Sequence, residues 1–394
     1  MMNSMQSVRT AFAIVVLLAT SAGMAAAEDA ALKHANQLLA KHPVIDGHND
    51  LPMAIRESKE APRDVAAYDL NKATTGDTDL ARMRKGRLGG QFWSVWVPSG
   101  DETKSAGRAR IQLEQIDIAL RMIERYPNDL RLALTADDID RANRDGKIAS
   151  LLGVEGAHTI ENSLGVLRTY HRLGVRYMTL THSDSHDWAR SSTDPANAGL
   201  TAFGSEVVRE MNRLGILVDI SHVNTQTMQD VLNVTHAPVI FSHSNPMAIT
   251  RNERNVPDEV LRRLPKNGGL IMASFITYFT VKQSLIGPWE QGMEQARAGK
   301  QGKEREAAER KYESANPRPR ATLTDVADHV DYLRKVAGVD HIGIGSDFYG
   351  EPAAMAQGLE DVSTFPALFA ELIRRGWKDE DLIKLSRGNL LRVM

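Results

Sequence analysis

The sequence predicts an α/β protein folded as a closed (β/α)8 barrel, and three observations lead there. Eight apolar runs of strand length recur along the chain, stretches of helical periodicity separate most of them, and several runs end in ionisable residues. The runs lie at 44–45, 92–97, 148–154, 177–180, 216–220, 239–241, 270–275 and 342–344. Strands that alternate with helices build a parallel sheet, because each crossover returns over the sheet. A doubly wound open sheet would show the same alternation. The endings favour the barrel: all strand C-termini of a closed parallel barrel open on one mouth, so residues spread from Asp46 to Asp347 can meet there.

Taken in order, the first 27 residues differ from the rest. Arg9, an apolar run at 11–19 and small residues ending in Ala25-Ala26-Ala27 predict a secretory signal cleaved after Ala27, the run being too short to span a bilayer. Residues 28–394 are then expected as a single barrel domain in a periplasmic or secreted protein, since such barrels run to about 250 residues or more as one unit. The chain has no cysteine, which removes disulfides, thiolate ligands, thiol nucleophiles and a lipidated cysteine, and leaves any metal to His and carboxylates. Residues 390–394 offer no long apolar tail, so no stable membrane anchor is expected. A net charge of -2 sets up no field for polyanions, and nucleic acid is not an expected partner.

The first strand runs into Asp46-Gly47-His48-Asn49-Asp50. His-x-Asp at a strand end puts two side chains on one side with period two, so both can reach one ion, although such residues alone are usually turn formers. After the second run comes a helix at 109–125, and the third run ends in Gly153-Val154-Glu155-Gly156. Flanking glycines leave space around the Glu155 carboxylate, which could bridge two ions. The fourth run leads into His182. The fifth and sixth, with helices at 204–214 and 225–233 nearby, each end in Ser-His, giving His222 and His243. Two successive strands with the same ending suggest neighbouring ligands.

Residues 281–320 interrupt the alternation: Gly287-Pro288, a charged stretch at 290–313 and Pro317-Arg318-Pro319-Arg320 predict an insertion carrying an exposed helix. A helix at 323–336 then leads to the eighth strand and Asp347. A carboxylate there can take a proton from an attacking water and deliver it to a leaving amine. Three His and two carboxylates suit Zn2+ or Mn2+, and the count suits two ions about 3.5–4 Å apart sharing one bridge. A lone structural zinc is disfavoured, because such sites are usually closed by four Cys or His ligands close in sequence. The remaining histidines are read as structural or surface residues, with His158 and His186 near the mouth but outside the ligand set.

Together these segments resemble the membrane dipeptidase (renal dipeptidase) family of metallopeptidases. The matching stretches are Ile45 to Asp50, Gly153 to Gly156, Thr179 to His182, Asp219 to His222, Phe241 to Ser244, Arg254-Asn255-Val256-Pro257-Asp258 and Gly345 to Phe348, in the family's order. The resemblance implies a TIM-like barrel with a binuclear zinc site at its C-terminal mouth, two Zn2+ per chain. His48 and Asp50 would hold one ion, His222 and His243 the other, and Glu155 would bridge. It implies further that His182 binds the tetrahedral intermediate, that Arg254 grips the carboxylate of a dipeptide substrate, that Asp347 shuttles the proton, and that the chain forms a homodimer. An Arg fork matches a carboxylate bidentately, and a His donor can stabilise an oxyanion.

Two positions depart from the family's pattern: Phe348-Tyr349-Gly350 lacks a second Asp, and Ser274-Phe275-Ile276-Thr277 lacks a Tyr directly after the Phe. Both bear on substrate preference. The alternative reading is a related metal-dependent amidohydrolase acting on N-acyl amino acids or lactones. Arg254 discriminates in part, since a lactone needs no carboxylate clamp. A binding protein that lost turnover is disfavoured because the five ligands and Asp347 are all present.

Overall fold

The structure, a computed structural model, describes residues 30–394; the signal segment expected at 1–27 lies outside them. Among the described residues nine parallel strands form one sheet: β1 (Val44–Asn49), β2 (Leu88–Ser94), β3 (Leu130–Leu132), β4 (Ile148–Glu155), β5 (Val175–Thr179), β6 (Leu217–Asp219), β7 (Val239–Phe241), β8 (Leu270–Ala273) and β9 (Ile342–Ile344). Their order is β2-β1-β9-β8-β7-β6-β5-β4-β3, and β2 also pairs with β4. That last pairing closes the ring. One edge of β4 carries β2, with Gly90 opposite Ala149 and Ser94 opposite Gly153. The other edge carries β3 against Ile148 to Ser150 and then β5 against Leu152 to Glu155. Eight strands therefore make the expected barrel, and β3 is a short addition on the β5 side of β4.

Period-two alternation divides the core into two layers. Ile45, Phe92, Leu151, Tyr177, Ile240, Leu270 and Met272 fill the barrel interior. Their neighbours Val44, Trp93, Leu152, Met178, Phe241, Ile271 and Ala273 face outward into the larger core beneath the helices. Burial on both faces is why these strands read as continuous apolar runs.

Several covering helices begin where the sequence supplies caps. Thr201 accepts a hydrogen bond from the backbone of Gly204 at the start of Ala202–Leu214, and Asn224 does the same for Thr225–Val234. Thr322 and Asp325 form a capping box ahead of Leu323–Ala337, which buries Val326, Val330, Leu333 and Ala337 on one stripe. Within the insertion expected at 281–320 the chain forms two helices, Gln283–Arg297 and Gly302–Ala315, where one was expected. They meet closely: a Cβ on Gly292 would lie 2.0 Å from Tyr312 Oη. No helix among the described residues is long and apolar enough to cross a membrane.

Candidate metal centre

Every residue expected at the site emerges at the C-terminal end of the barrel. His48 and Asp50 lie at the end of β1, Glu155 closes β4, His182 follows β5, His222 follows β6, His243 follows β7 and Asp347 follows β9. Arg254 comes from the connection between β7 and β8. Asp50, Glu155, His182, His222, Arg254 and Asp347 line one cavity of about 410 Å³, and His48 and His243 lie beneath it, both essentially inaccessible.

Glu155 is the hub. Its Oε2 lies 3.4 Å from His48 Nε2, while Oε1 lies 2.9 Å from His222 Nε2, 3.4 Å from His243 Nε2 and 3.7 Å from His182 Nε2. On the far side, His48 Nε2 is 3.3 Å from Asp50 Oδ2 and 3.9 Å from Asp347 Oδ1. Three sets of candidate ligand atoms each fall within 4.8 Å: His48, Glu155 and His243; Glu155, His182 and His222; and His48, Asp50 and Asp347. The sets overlap at His48 and at Glu155, and the partition the resemblance implies is one of those that these distances allow. His243 stands as near His48 as His222, and His182, expected at the substrate, also stands within reach of a shared ion.

The residues fit bound cations. His48 Nε2, Asp50 Oδ1 and His222 Nδ1 are buried without a hydrogen-bond partner, a costly arrangement that a ligand at the first two would relieve. His222 Nε2 and His243 Nε2 are 2.9 Å apart and both face one carboxylate oxygen, so at most one can hold a proton against the other. Burial, followed by the charge of Arg254 for His222 and of His48 for His243, pushes both well below the ordinary imidazole value. Neutral imidazole is the ligating form. Burial alone would raise Glu155, but the imidazoles of His48 and His182 and hydrogen bonds from His222 and His243 outweigh it and hold the carboxyl well below its usual range. An oxygen-and-nitrogen donor set without sulfur suits Zn2+ or Mn2+.

Asp347 behaves oppositely to Glu155. Burial raises it to about 7; the neighbouring Asp50 and Glu155 add to the rise, and His48 and Arg254 oppose it. A carboxyl poised there can accept and return a proton near neutrality. Arg254 is nearly buried, donating to Ser244 Oγ at 3.3 Å and to the His243 carbonyl at 3.1 Å, and its guanidinium lies 5.1 Å from the Phe279 ring centre.

The sequence reading missed the groups that orient these side chains. Tyr177 Oη lies 2.8 Å from His48 Nδ1. Ser242 Oγ donates to Asp219 at 2.6 Å and so is free to accept from His243 Nδ1 at 2.8 Å. Trp96 packs its ring against His182, centroids 5.1 Å apart. His222 and Asp347 both adopt left-handed backbone, φ 65° and 68°, a strained conformation for residues other than glycine. The glycines around Glu155 also serve a different end from the one expected. A Cβ on Gly153 would sit 2.0 Å from Tyr177 Cζ, so Gly153 makes room for the phenol behind His48, and Gly156 turns the chain at φ +105°. A lone Asp within the apolar run at 216–220 was the one legible sign of this layer.

Residues 32–394 match the membrane dipeptidase family, peptidase family M19. Over 362 residues the chain is 39% identical to Dipeptidase 3 of Rattus norvegicus, covering 90% of this chain and 65% of that protein. Over 373 residues it is 40% identical to Dipeptidase verJ of Clonostachys rogersoniana, covering 92% and 86%. Among solved structures, the probable dipeptidase PvdM from Pseudomonas aeruginosa superposes with a TM-score of 0.80 at 26% identity, over 93% of this chain and 98% of that one. A metallo peptidase from Rhodobacter sphaeroides, liganded with a phosphinate mimic of the dipeptide L-Ala-D-Ala, gives 0.72 at 26% identity, over 89% and 98%. With a closed barrel, a histidine and carboxylate cluster at its mouth and a match along nearly all its described length, the chain belongs to the membrane dipeptidase family, M19.

Proposed function

We propose that the chain is a secreted or periplasmic zinc dipeptidase that hydrolyses the one amide bond of a dipeptide. The observation that supports this best is the orientation of Glu155, whose two oxygens face different nitrogen donors, Oε2 toward His48 and Oε1 toward His222 and His243. On this reading His48 and Asp50 would hold one Zn2+ and His222 and His243 the other, with the Glu155 carboxylate placed to be shared between them. Bound there, the ions would polarise the scissile carbonyl and acidify the attacking water.

The remaining steps belong to the protein. Arg254 holds the substrate's free carboxylate, which fixes the C-terminal residue and limits substrate length. His182 donates to the oxygen that gains charge as the carbonyl is attacked. Asp347 takes the proton released by the water and passes it to the leaving nitrogen, so one water adds across the bond and no covalent enzyme intermediate forms.

The test is a panel of L-L and L-D dipeptides, tripeptides, N-acyl amino acids and a lactone, offered to the metal-analysed mature protein. Turnover of dipeptides alone with about two zinc ions per chain, as a two-metal site requires, supports the reading. Turnover only of acyl amino acids or lactones moves the same site to the amidohydrolase reading. Absence of bound metal from an active enzyme removes the ligand assignment.

A further inference from the structure

We propose that the helical pair between β8 and β9 sets substrate preference by clamping Tyr278 through Arg318, so that the Tyr278 ring forms the wall that reads the side chain of the substrate's C-terminal residue. This rests on the dipeptidase reading and deepens it.

The connection after β8 enters the catalytic cavity directly: Ile276, Tyr278 and Phe279 all line it. Phe279 packs against the guanidinium of Arg254, the proposed carboxylate clamp, and Tyr278 is its sequence neighbour. Tyr278 is 41% exposed, a large ring at the cavity mouth that the barrel itself does not pin. Its support comes from the far end of the helical pair. The Arg318 guanidinium lies 4.3 Å from the centre of the Tyr278 ring and 5.1 Å from that of Trp289, so one cation joins two aromatic faces.

Both ends of the clamp are fixed. Trp289 Nε1 donates to the Asn316 carbonyl at 2.8 Å, tying the first helix to the returning chain. Arg318 stands between Pro317 and Pro319, and a residue before proline is confined to extended backbone, so its direction is largely preset. Two residues on, Arg320 donates to the carbonyls of Met355 at 2.8 Å and Pro352 at 3.4 Å, in the connection after β9 that also carries Asp347 and Tyr349. At the opposite end Lys282 pairs with Asp328 at 2.8 Å and Asp325 at 3.2 Å. The excursion thus leaves from one wall of the cavity and returns to the next, and Arg318 acts as a positioning residue, not a catalytic one.

The experiment compares wild type with Arg318→Ala, Arg318→Lys, Tyr278→Ala and Tyr278→Phe. Each is measured for kcat and KM on dipeptides with a common first residue and Gly, Ala, Leu or Phe as the second, and for Kd toward phosphinate dipeptide mimics ending in Ala or Phe. Arg318→Ala and Tyr278→Ala should change KM and Kd for the bulky C-terminal residues by about two- to fivefold, the range of a partly exposed cation–π contact. For Arg318→Ala kcat should stay within twofold. Tyr278→Phe should keep the wild-type order of preference among the C-terminal residues, because the ring face and not the hydroxyl is held, and Arg318→Lys should recover part of that preference. A loss of kcat uniform across the series, or a size profile unchanged in both alanine variants, overturns the inference while leaving the dipeptidase reading intact. If wild type neither turns over dipeptides nor binds the mimics, the underlying reading fails and this one with it.

Discussion

Replacing Tyr177 with Phe removes one oxygen from a wholly buried ring and should loosen the metal site more than it loosens the fold. Tyr177 Oη is the hydrogen-bond partner of His48 Nδ1, at 2.8 Å, and neither residue touches solvent. Burial raises the phenol above its ordinary value, so it stays protonated through the working range. When His48 Nε2 holds an ion, Nδ1 carries the proton and donates to this oxygen. Without the oxygen that N–H is buried and unpaired, which costs about 1–3 kcal/mol. Because the cost falls on the tautomer that binds metal, zinc affinity should drop by about 10–100-fold, the range for losing a partner of a ligating histidine.

Chelator competition measures that affinity, and urea unfolding of the metal-free protein separates it from stability. Gly153→Ala is the companion, since its Cβ would meet the Tyr177 ring and displace the same oxygen without deleting it. Both variants should bind zinc more weakly with normal stoichiometry at saturation. Zinc affinity within twofold of wild type in Tyr177→Phe would refute the reasoning and leave Tyr177 as packing alone.

Asp347→Asn should keep metal content and substrate binding while lowering kcat by about 10²-fold or more, and near-normal turnover would remove Asp347 from proton transfer. Arg254→Lys keeps the charge but loses the planar fork; kcat/KM for dipeptides should fall by about tenfold or more, chiefly through KM, while a lactone, if turned over, should not respond. Acid stability should depend on His329, which burial holds down to about 4 against the raising influence of the Thr280 carbonyl and the charges of Asp325 and Asp328, with Lys282 adding to the fall. Because the folded value lies below the ordinary 6.5, the unfolded chain binds the extra proton, so this contribution is complete above about pH 6.5 and is lost as pH falls toward 4. The difference amounts to about 3 kcal/mol. Urea unfolding of His329→Gln should show a shallower pH slope across that window than wild type, and parallel curves would discount the site.

The barrel was legible because its strands are buried on both faces and stretches of helical periodicity separate them. The runs at 239–241 and 342–344 coincide with β7 and β9, and the helix at 109–125 with Arg108–Arg125. Where the reading slipped, a local signal was absent or ambiguous. β3 has three residues with Arg131 in the middle, too few to show a period. β2 begins at Leu88, ahead of the expected 92, because Gly89 and Gly90 resemble turn residues. Both are instead small for packing: a Cβ on Gly89 would meet Pro43, and one on Gly90 would meet Ile45. The side chains at the mouth could be picked out because polar endings on apolar strands are conspicuous. The left-handed backbone of His222 and Asp347 could not, since a strained conformation is imposed by the surrounding fold and leaves no mark in composition.

Two buried carboxylates belong to no candidate ligand set, and although both residues stand out beside apolar runs, the bonds they make across neighbouring strands do not show in the sequence. Asp46, midway along β1, accepts from Ser346 N at 2.7 Å, Ser346 Oγ at 2.6 Å and Gln91 Nε2 at 2.8 Å. Asp219, at the end of β6, accepts from Ser242 N at 2.9 Å, Ser242 Oγ at 2.6 Å and the Thr179 hydroxyl. Each carboxylate thus receives the backbone and hydroxyl of a serine beyond a neighbouring strand and a polar side chain from the strand on its other flank. Each serine immediately precedes a site residue, Asp347 in one case and His243 in the other, and each aspartate stands two or three residues before a histidine, His48 or His222. One device, used twice, locks β9 to β1 under one side of the cluster and β7 to β6 under the other. Strands in a barrel are otherwise joined by backbone pairing, which fixes register but leaves the ends free to splay. Placing a multiply bonded carboxylate at each seam removes that freedom where the side chains diverge. Burial pushes Asp46 up to about 6 even against its three hydrogen-bond donors, so the seam beneath His48 and Asp347 is held at some electrostatic cost. That cost is consistent with a carboxylate at this seam that serves the geometry of the mouth more than the stability of the sheet.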